Sequence, residues 1–285
     1  MPAEAARRLR RHGGGGATCG LIRFPLMRPL PKQLFLAALM VALLAFPAAA
    51  LERFGIVLLH GKTGMPNQFT VLAADLEDLG YAVEAPEMCW SARRIYDRSF
   101  TGCFADIDAA IERLKGDGIT RVVVAGHSLG GIGALGYAAT HDGLAGVIAL
   151  APDGDPLAWG RIPTIARSLA TARATIMAGR GDAVATFNDV VLGRPLPVEA
   201  TAADFASFFG ADSPAAMTKT LPALKAPLLW VAGARDSSQR DARSLFARAP
   251  RNALNRFVTV KASHLGTPAA AFEAILDWLG EMEAR

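Results

Sequence analysis

The sequence predicts an α/β fold: a mostly parallel central sheet of about six strands with helices on both faces, plus a helical lid inserted after the fourth strand. Three observations carry that expectation. From residue 51 onward, short apolar runs alternate with segments of helical spacing, as in strands joined by crossover helices. The runs are rich in Val, Ile and Leu and nearly free of polar residues, as strands covered on both faces are. One interval, residues 153–224, breaks the rhythm: it reads as helical with no obvious strand and is too long for a plain connection.

The elements follow in order. Phe54–Leu59 (FGIVLL) is a short continuous β-branched run and the first strand. Residues 66–79 have helical spacing, with Pro66 suited to a first turn and Gly80 to a stop. Residues 81–85 give a second strand. Residues 104–115 give a helix with Ile107, Ile111 and Leu114 on one face. RVVVA at 121–125 is a third, fully buried strand, and Leu129–Thr140 a helix rich in Gly and Ala. Gly146–Leu150, residues 226–231 and residues 257–260 complete six strands, and residues 268–279 form the last helix. The expected organisation is therefore a core of residues 51–152 and 225–285 with residues 153–224 as the lid. Right-handed crossovers place all strand C-termini on one edge, where sites form.

Residues 1–50 are read as an address rather than as fold. LFLAALMVALLAFPAAA at 34–50 is uncharged, follows basic residues and closes on three alanines, the pattern of a secretory signal peptide cleaved after Ala50. The alternative is an uncleaved anchor helix, for which the run is slightly short and interrupted by Pro47. Met27 would start a more ordinary leader than Met1 does. A periplasmic or secreted protein without a stable membrane span after cleavage is expected. Export would let Cys89 and Cys103 form a disulfide; two free, partly buried thiols are the alternative.

The formal charge of +4 is misleading. Of 30 Lys and Arg and 26 Asp and Glu, the first 50 residues hold seven and one, which leaves 23 against 25. The remaining chain is slightly acidic and has no basic cluster, so a nucleic-acid partner is not expected. No His, Cys and Asp residues fall at metal-ligand spacing, and neither a metal nor an organic cofactor is expected.

Gly126-His127-Ser128-Leu129-Gly130 fits G-x-S-x-G. With 28 glycines in the chain the pattern alone says little; its context says more. It leaves a buried strand and opens a Gly-rich helix directly, so Ser128 sits on a tight strand-to-helix turn. Gly126 and Gly130 supply the small neighbours such a turn needs, and Gly131, Gly133 and Gly136 let the helix lie close to the sheet. A helix N-terminus aimed at Ser128 favours developing negative charge.

With Leu58-Leu59-His60-Gly61, Gly233-Ala234-Arg235-Asp236 and Ser263-His264, this elbow makes nearly all of residues 51–285 resemble the α/β-hydrolase superfamily. The resemblance implies a Ser–acid–His triad in that chain order, with a lid between the two halves. Residues 86–97 (PEMCWSARRIYD) also look like a stretch of small bacterial members with poorly defined substrates, a match that carries no chemistry.

Ser128 needs a base. Of five histidines, His12 lies in the leader, His141 ends a helix, His127 is the variable residue of the elbow and His60 ends a strand. His264, in the loop after the last strand, is the candidate base. Asp236, in the turn after the fifth strand, is the candidate acid; Asp153 or Asp155, after the fourth strand, is the rival, since some members of the superfamily place the acid there. Two N–H donors should hold the oxyanion: Leu129, which follows the nucleophile, and, by likeness to the family, Lys62 in the loop HGKTG. The glycine spacing of that loop does not fit a phosphate loop. The Lys62 side chain is expected to point to solvent. Trp159, Met177, Phe187, Phe205, Phe208, Phe209 and Met217 either line an acyl pocket or build the lid's own core. Arg93, Arg94 and Tyr96 belong to a solvated loop or line the entrance.

The function expected is cleavage of a small-molecule carboxylic ester through an acyl-enzyme. The same triad would serve amide or peptide cleavage and acyl transfer. A binding protein on an inactive scaffold would lack a triad member, and none is missing.

Overall fold

The computed structural model describes residues 54–191 and 193–285; the expected leader, its start at Met1 or Met27 and its end at Ala50 lie outside them. Six strands, β1 (Phe54–Leu59), β2 (Ala82–Glu84), β3 (Arg121–His127), β4 (Gly146–Leu150), β7 (Leu228–Gly233) and β8 (Arg256–Val260), form one sheet in the order β2-β1-β3-β4-β7-β8. Every neighbouring pair is parallel. The register sets Leu59 beside Gly126 and His127 beside Leu150, so β1, β3 and β4 end at nearly one level.

Alternate strand residues feed two cores. Val57, Leu59, Val122, Val124, Val147 and Ala149 face α2 (Phe104–Gly116) and α3 (Leu129–Thr140). Ile56, Leu58, Val123, Ala125, Ile148 and Leu150 face α1 (Thr70–Asp78) and α6 (Phe272–Glu283). Both faces of the four inner strands are thus dry, which is why these strands read as unbroken apolar runs, while β2 and β8 at the edges are half-buried. The expected last helix is a short turn, Thr267–Ala270, followed by α6. Cys89 and Cys103 form a disulfide with Cα atoms 5.5 Å apart.

Two expectations need correction. Besides α4 (Pro163–Met177) and α5 (Ala202–Ser207), the interval after β4 contains an antiparallel hairpin of β5 (Val184–Val191) and β6 (Arg194–Thr201). The hairpin buries Phe187 and Asp189 from one strand and Val198 and Ala200 from the other, leaving most alternate residues exposed. That half-buried period of two is weak, and Pro195 and Pro197 disguise β6; a two-stranded ribbon with free edges tolerates both prolines. The second correction concerns the α3 glycines. Gly130 and Gly131 approach the strand ends, but Gly133 and Gly136 receive the rings of Trp90 and Phe100 from the disulfide-closed loop instead of the sheet.

The aromatic residues of the insertion mostly build core. Phe187 stacks on Phe205 at 4.6 Å, and Phe208 packs on Tyr96 at 4.2 Å, joining the insertion to the main core. Met177 is exposed. Among the described residues no helix is long and apolar enough to cross a membrane.

Candidate active site

The parallel sheet delivers four loops to one edge: residues 60–64 after β1, Ser128 after β3, Asp236 after β7 and His264 after β8. Ser128 has φ 57° and ψ −121°, a left-handed conformation unusual for a residue with a Cβ, which turns the chain sharply from β3 into α3. The turn is possible because two backbones nearly touch. A Cβ on Gly126 would stand 2.1 Å from the Gly130 carbonyl oxygen, and one on Gly130 would stand 2.0 Å from that of Leu59.

His264 Nδ1 lies 2.7 Å from Asp236 Oδ2. A proton on Nδ1 donated to this carboxylate leaves the Nε2 lone pair free to accept another. Asp236 is nearly buried, and its other oxygen accepts from the Ser238 N–H at 3.0 Å and hydroxyl at 2.8 Å, so it also caps the turn that follows. The rival carboxylates are placed differently. Asp155 caps the turn Pro156–Trp159 and accepts from Met217 N at 2.8 Å. Asp153 accepts from Gly154 N at 2.8 Å and faces the cleft without meeting His264.

Ser128 and His264 line one cleft of about 440 Å³, with no hydrogen bond between them. Such bonds are commonly long in ligand-free sites and tighten around substrate. Gly61, Gln68 and Asp153 form its polar side, and Trp159, Ile162, Val190 and Val191 of the insertion its apolar side. Beside Leu129 lies a second space of about 10 Å³ walled by Tyr96, Trp159, Phe208 and Phe209. Among the described residues neither the Leu129 nor the Lys62 backbone N–H donates to a protein acceptor, while Gly61, Thr63 and Gly64 in the same loop all do.

Two sequence-based expectations change here, those for Lys62 and Tyr96. Lys62 does not reach solvent: its ammonium is buried against both oxygens of Asp189 at 3.0 and 2.9 Å, the Val190 carbonyl at 2.9 Å and the Trp159 ring at 3.5 Å. Burial pushes its pKa down, and Asp189 opposes that shift. Tyr96 is not an entrance residue but fully buried, its hydroxyl donating to Asp189 at 2.7 Å. Arg94 pairs with Asp97 and Asp106, and Arg93 with Glu87, on the surface. His60, set aside from sequence, is buried with both ring nitrogens bonded, to Gly61 O and Met88 N, and burial lowers its pKa.

The sequence reading missed Gln68 and undervalued His127. The Gly61 N–H donates to Gln68 Oε1 at 3.0 Å, and Gln68 Nε2 donates to His127 Nδ1 at 2.8 Å. His127 Nε2 then donates to the His264 carbonyl at 3.0 Å. This relay ties the β1 loop to the His264 loop across Ser128, and no spacing in the sequence announces it.

Burial, with His264 adding to it, lowers the His127 pKa from 6.5 to about 4. The unfolded chain therefore binds this proton more readily than the native one. The contribution is fully present above pH 6.5 and is lost as pH falls toward 4, on the order of 3 kcal/mol. The urea midpoint is expected to fall across that window, and His127→Asn to flatten the fall. Equal slopes for the two proteins would show that His127 does not carry it.

A sequence model of the alpha/beta hydrolase family matches residues 56–277. Several solved structures are similar. A monoacylglycerol lipase of Paleococcus ferrophilus superposes with a TM-score of 0.60 at 22% identity, over 80% of this chain and 94% of that one. A structure from work on the metagenome-derived lipolytic enzymes LipS and LipT gives 0.57 at 20%, over 82% and 95%. Est1E from Butyrivibrio proteoclasticus gives 0.55 at 17%, over 84% and 92%. At these identities the likeness speaks for the fold. No curated protein sequence matches this chain significantly.

Proposed function

Since this chain belongs to the alpha/beta hydrolase family, we propose that it cleaves carboxylic esters through an acyl-enzyme on Ser128. The observation that carries the reading is the 2.7 Å contact of His264 Nδ1 with Asp236, made on the cleft into which the strained turn presents Ser128. In this reading Ser128 Oγ attacks the ester carbonyl and passes its proton to His264 Nε2. Asp236 keeps the imidazole in the useful tautomer and stabilises the imidazolium. The carbonyl oxygen, now an anion, is held by the N–H groups of Leu129 and Lys62, both without a protein acceptor. Collapse of the tetrahedral intermediate expels the alcohol, which takes the proton from His264. Water repeats the sequence on the acyl-enzyme and restores the serine.

The insertion after β4 serves as a cap, its Trp159, Ile162, Val190 and Val191 giving the acyl group an apolar wall. The cleft lies at the small end of ligand sites, and the space beside Leu129 admits no chain. In this reading short acyl groups are the preferred substrates. The disulfide and the apolar run at 34–50 fit export to the periplasm or medium, which N-terminal sequencing of the mature protein would check.

The test is a series of p-nitrophenyl esters from acetate to palmitate, with fluorophosphonate labelling read by peptide mapping. Hydrolysis of acetate and butyrate well above palmitate, with the label on Ser128, is the expected result. A protein that turns over no ester and leaves Ser128 unlabelled would not be a serine hydrolase.

A further inference from the structure

The buried ion pair of Lys62 and Asp189 lies beside the cleft and takes no part in the steps above. Its cost is high, because two charges are taken out of water and well-packed apolar side chains would often stabilise the fold as well. Asp189 is completely buried and its oxygens are saturated. Oδ1 accepts from Lys62 at 3.0 Å and from its own neighbour Val190 N at 2.6 Å. Oδ2 accepts from Lys62 at 2.9 Å and from the Tyr96 hydroxyl at 2.7 Å. Three separate segments meet here: the β1 loop, the hairpin of the insertion, and the loop closed by Cys89–Cys103, which carries Tyr96.

What the network holds is the β1 loop. Gly61 lies beside Ser128, where a Cβ would make an ordinary contact, 3.4 Å from that of Ser128. Thr63 is left-handed at φ 54°, an uncomfortable state for a β-branched residue that persists only where surroundings impose it. The N–H groups of Gly61, Thr63 and Gly64 are anchored to Gln68, Trp90 and Gly61. The peptide that carries the Lys62 N–H is held at its carbonyl end, where Gly61 O accepts from the Gly64 N–H and from His60 Nδ1, each at 2.9 Å; its N–H has no protein acceptor, and the Lys62 side chain adds a second fixing point on the far side of that N–H.

We propose that Asp189, braced by Tyr96, is a positioning residue for the ester reaction: it grips the Lys62 ammonium so that the Lys62 backbone N–H faces the developing oxyanion at Ser128. The inference rests on the proposed function above. It makes the insertion part of the oxyanion site, joined to it by a contact spanning 127 positions of sequence. Asp189 touches no substrate and acts only through Lys62.

The test must not leave a charge orphaned in the core. Lys62→Met, Asp189→Leu and Tyr96→Phe are combined, which removes the network and its polar groups together, and Tyr96→Phe alone is the milder variant. The native protein and both variants are compared for thermal midpoint, for kcat and KM on p-nitrophenyl acetate, and for affinity toward an aryl trifluoromethyl ketone. Ser128 adds to that ketone, its proton passes to His264, and the alkoxide formed occupies the oxyanion position. The triple variant is expected to lose about 10- to 100-fold in kcat and in ketone affinity together, with KM within about twofold, because the donor is displaced rather than deleted. Tyr96→Phe should lose several-fold in the same two quantities. A folded triple variant with native kcat and ketone affinity, or one whose loss lies in KM alone, would overturn the inference. If the triple variant does not fold, native kcat and ketone affinity in Tyr96→Phe would overturn it equally. A native protein inert toward every ester would instead overturn the ester reading, and the inference with it.

Discussion

Replacing Ser128 by Ala is expected to lower kcat on p-nitrophenyl acetate by about 10⁴- to 10⁶-fold, and His264→Ala by a similar factor. The double variant should be no slower than either, because nucleophile and base act as one unit: once the alkoxide cannot form, nothing remains for the imidazole to assist. Asp236→Asn should cost about 10⁴-fold by a different route. The Asn amide can donate toward Nδ1, which forces the imidazole proton onto Nε2, where the serine proton has to arrive. Asp236 also accepts two hydrogen bonds from Ser238, at 3.0 and 2.8 Å, and an Asn oxygen can keep both, so the turn and the fold should survive. KM and the thermal midpoint should therefore stay near native in all three variants. Single-turnover kinetics with purified proteins measure this. More than about 1% of native kcat left in Ser128→Ala would mean that ester cleavage happens elsewhere or by another nucleophile.

The sheet was legible because of its burial. Val122, Val123 and Val124 are packed on both faces, so their strand has no polar alternation and announces itself as a run. Ser128 was legible because its turn needs Gly126 and Gly130 at fixed offsets, and these survive in the sequence as a pattern. Asp236 and His264 could be nominated from their places after β7 and β8. Chain order already favoured Asp236 over Asp153 and Asp155, and of the three it is Asp236 that meets His264, while the other two satisfy backbone N–H groups. The hairpin was hidden by its prolines and by having only one buried face. Its loss concealed the partner of Lys62, and a lysine without a visible partner is read as solvated. Tyr96 was misread for the same reason: a tyrosine in a loop looks exposed until the carboxylate that satisfies its hydroxyl is found. Gln68 and His127 form their relay between side chains 59 positions apart, and nothing local records it.

Gly130→Ala is expected to prevent native folding, the largest stability effect in this protein. The added Cβ would stand 2.0 Å from Leu59 O and 2.6 Å from His60 O. Both obstacles are backbone, and one belongs to a strand in the middle of the sheet, so no side-chain rotation relieves the clash. Either α3 lifts off the strand ends or β1 shifts against β3; both break packed layers, at a cost above about 4 kcal/mol. Gly126→Ala meets the same wall from the other side, 2.1 Å from Gly130 O. Gly280→Ala is the control. It lies within α6 with open space around it, and Ala there should stabilise by about 0.5–1 kcal/mol. Urea unfolding followed by near-ultraviolet circular dichroism separates the three. A Gly130→Ala protein with a native midpoint would mean that α3 can retreat from Leu59 without loss. In that case the turn at Ser128 would not depend on the close approach of these two backbones.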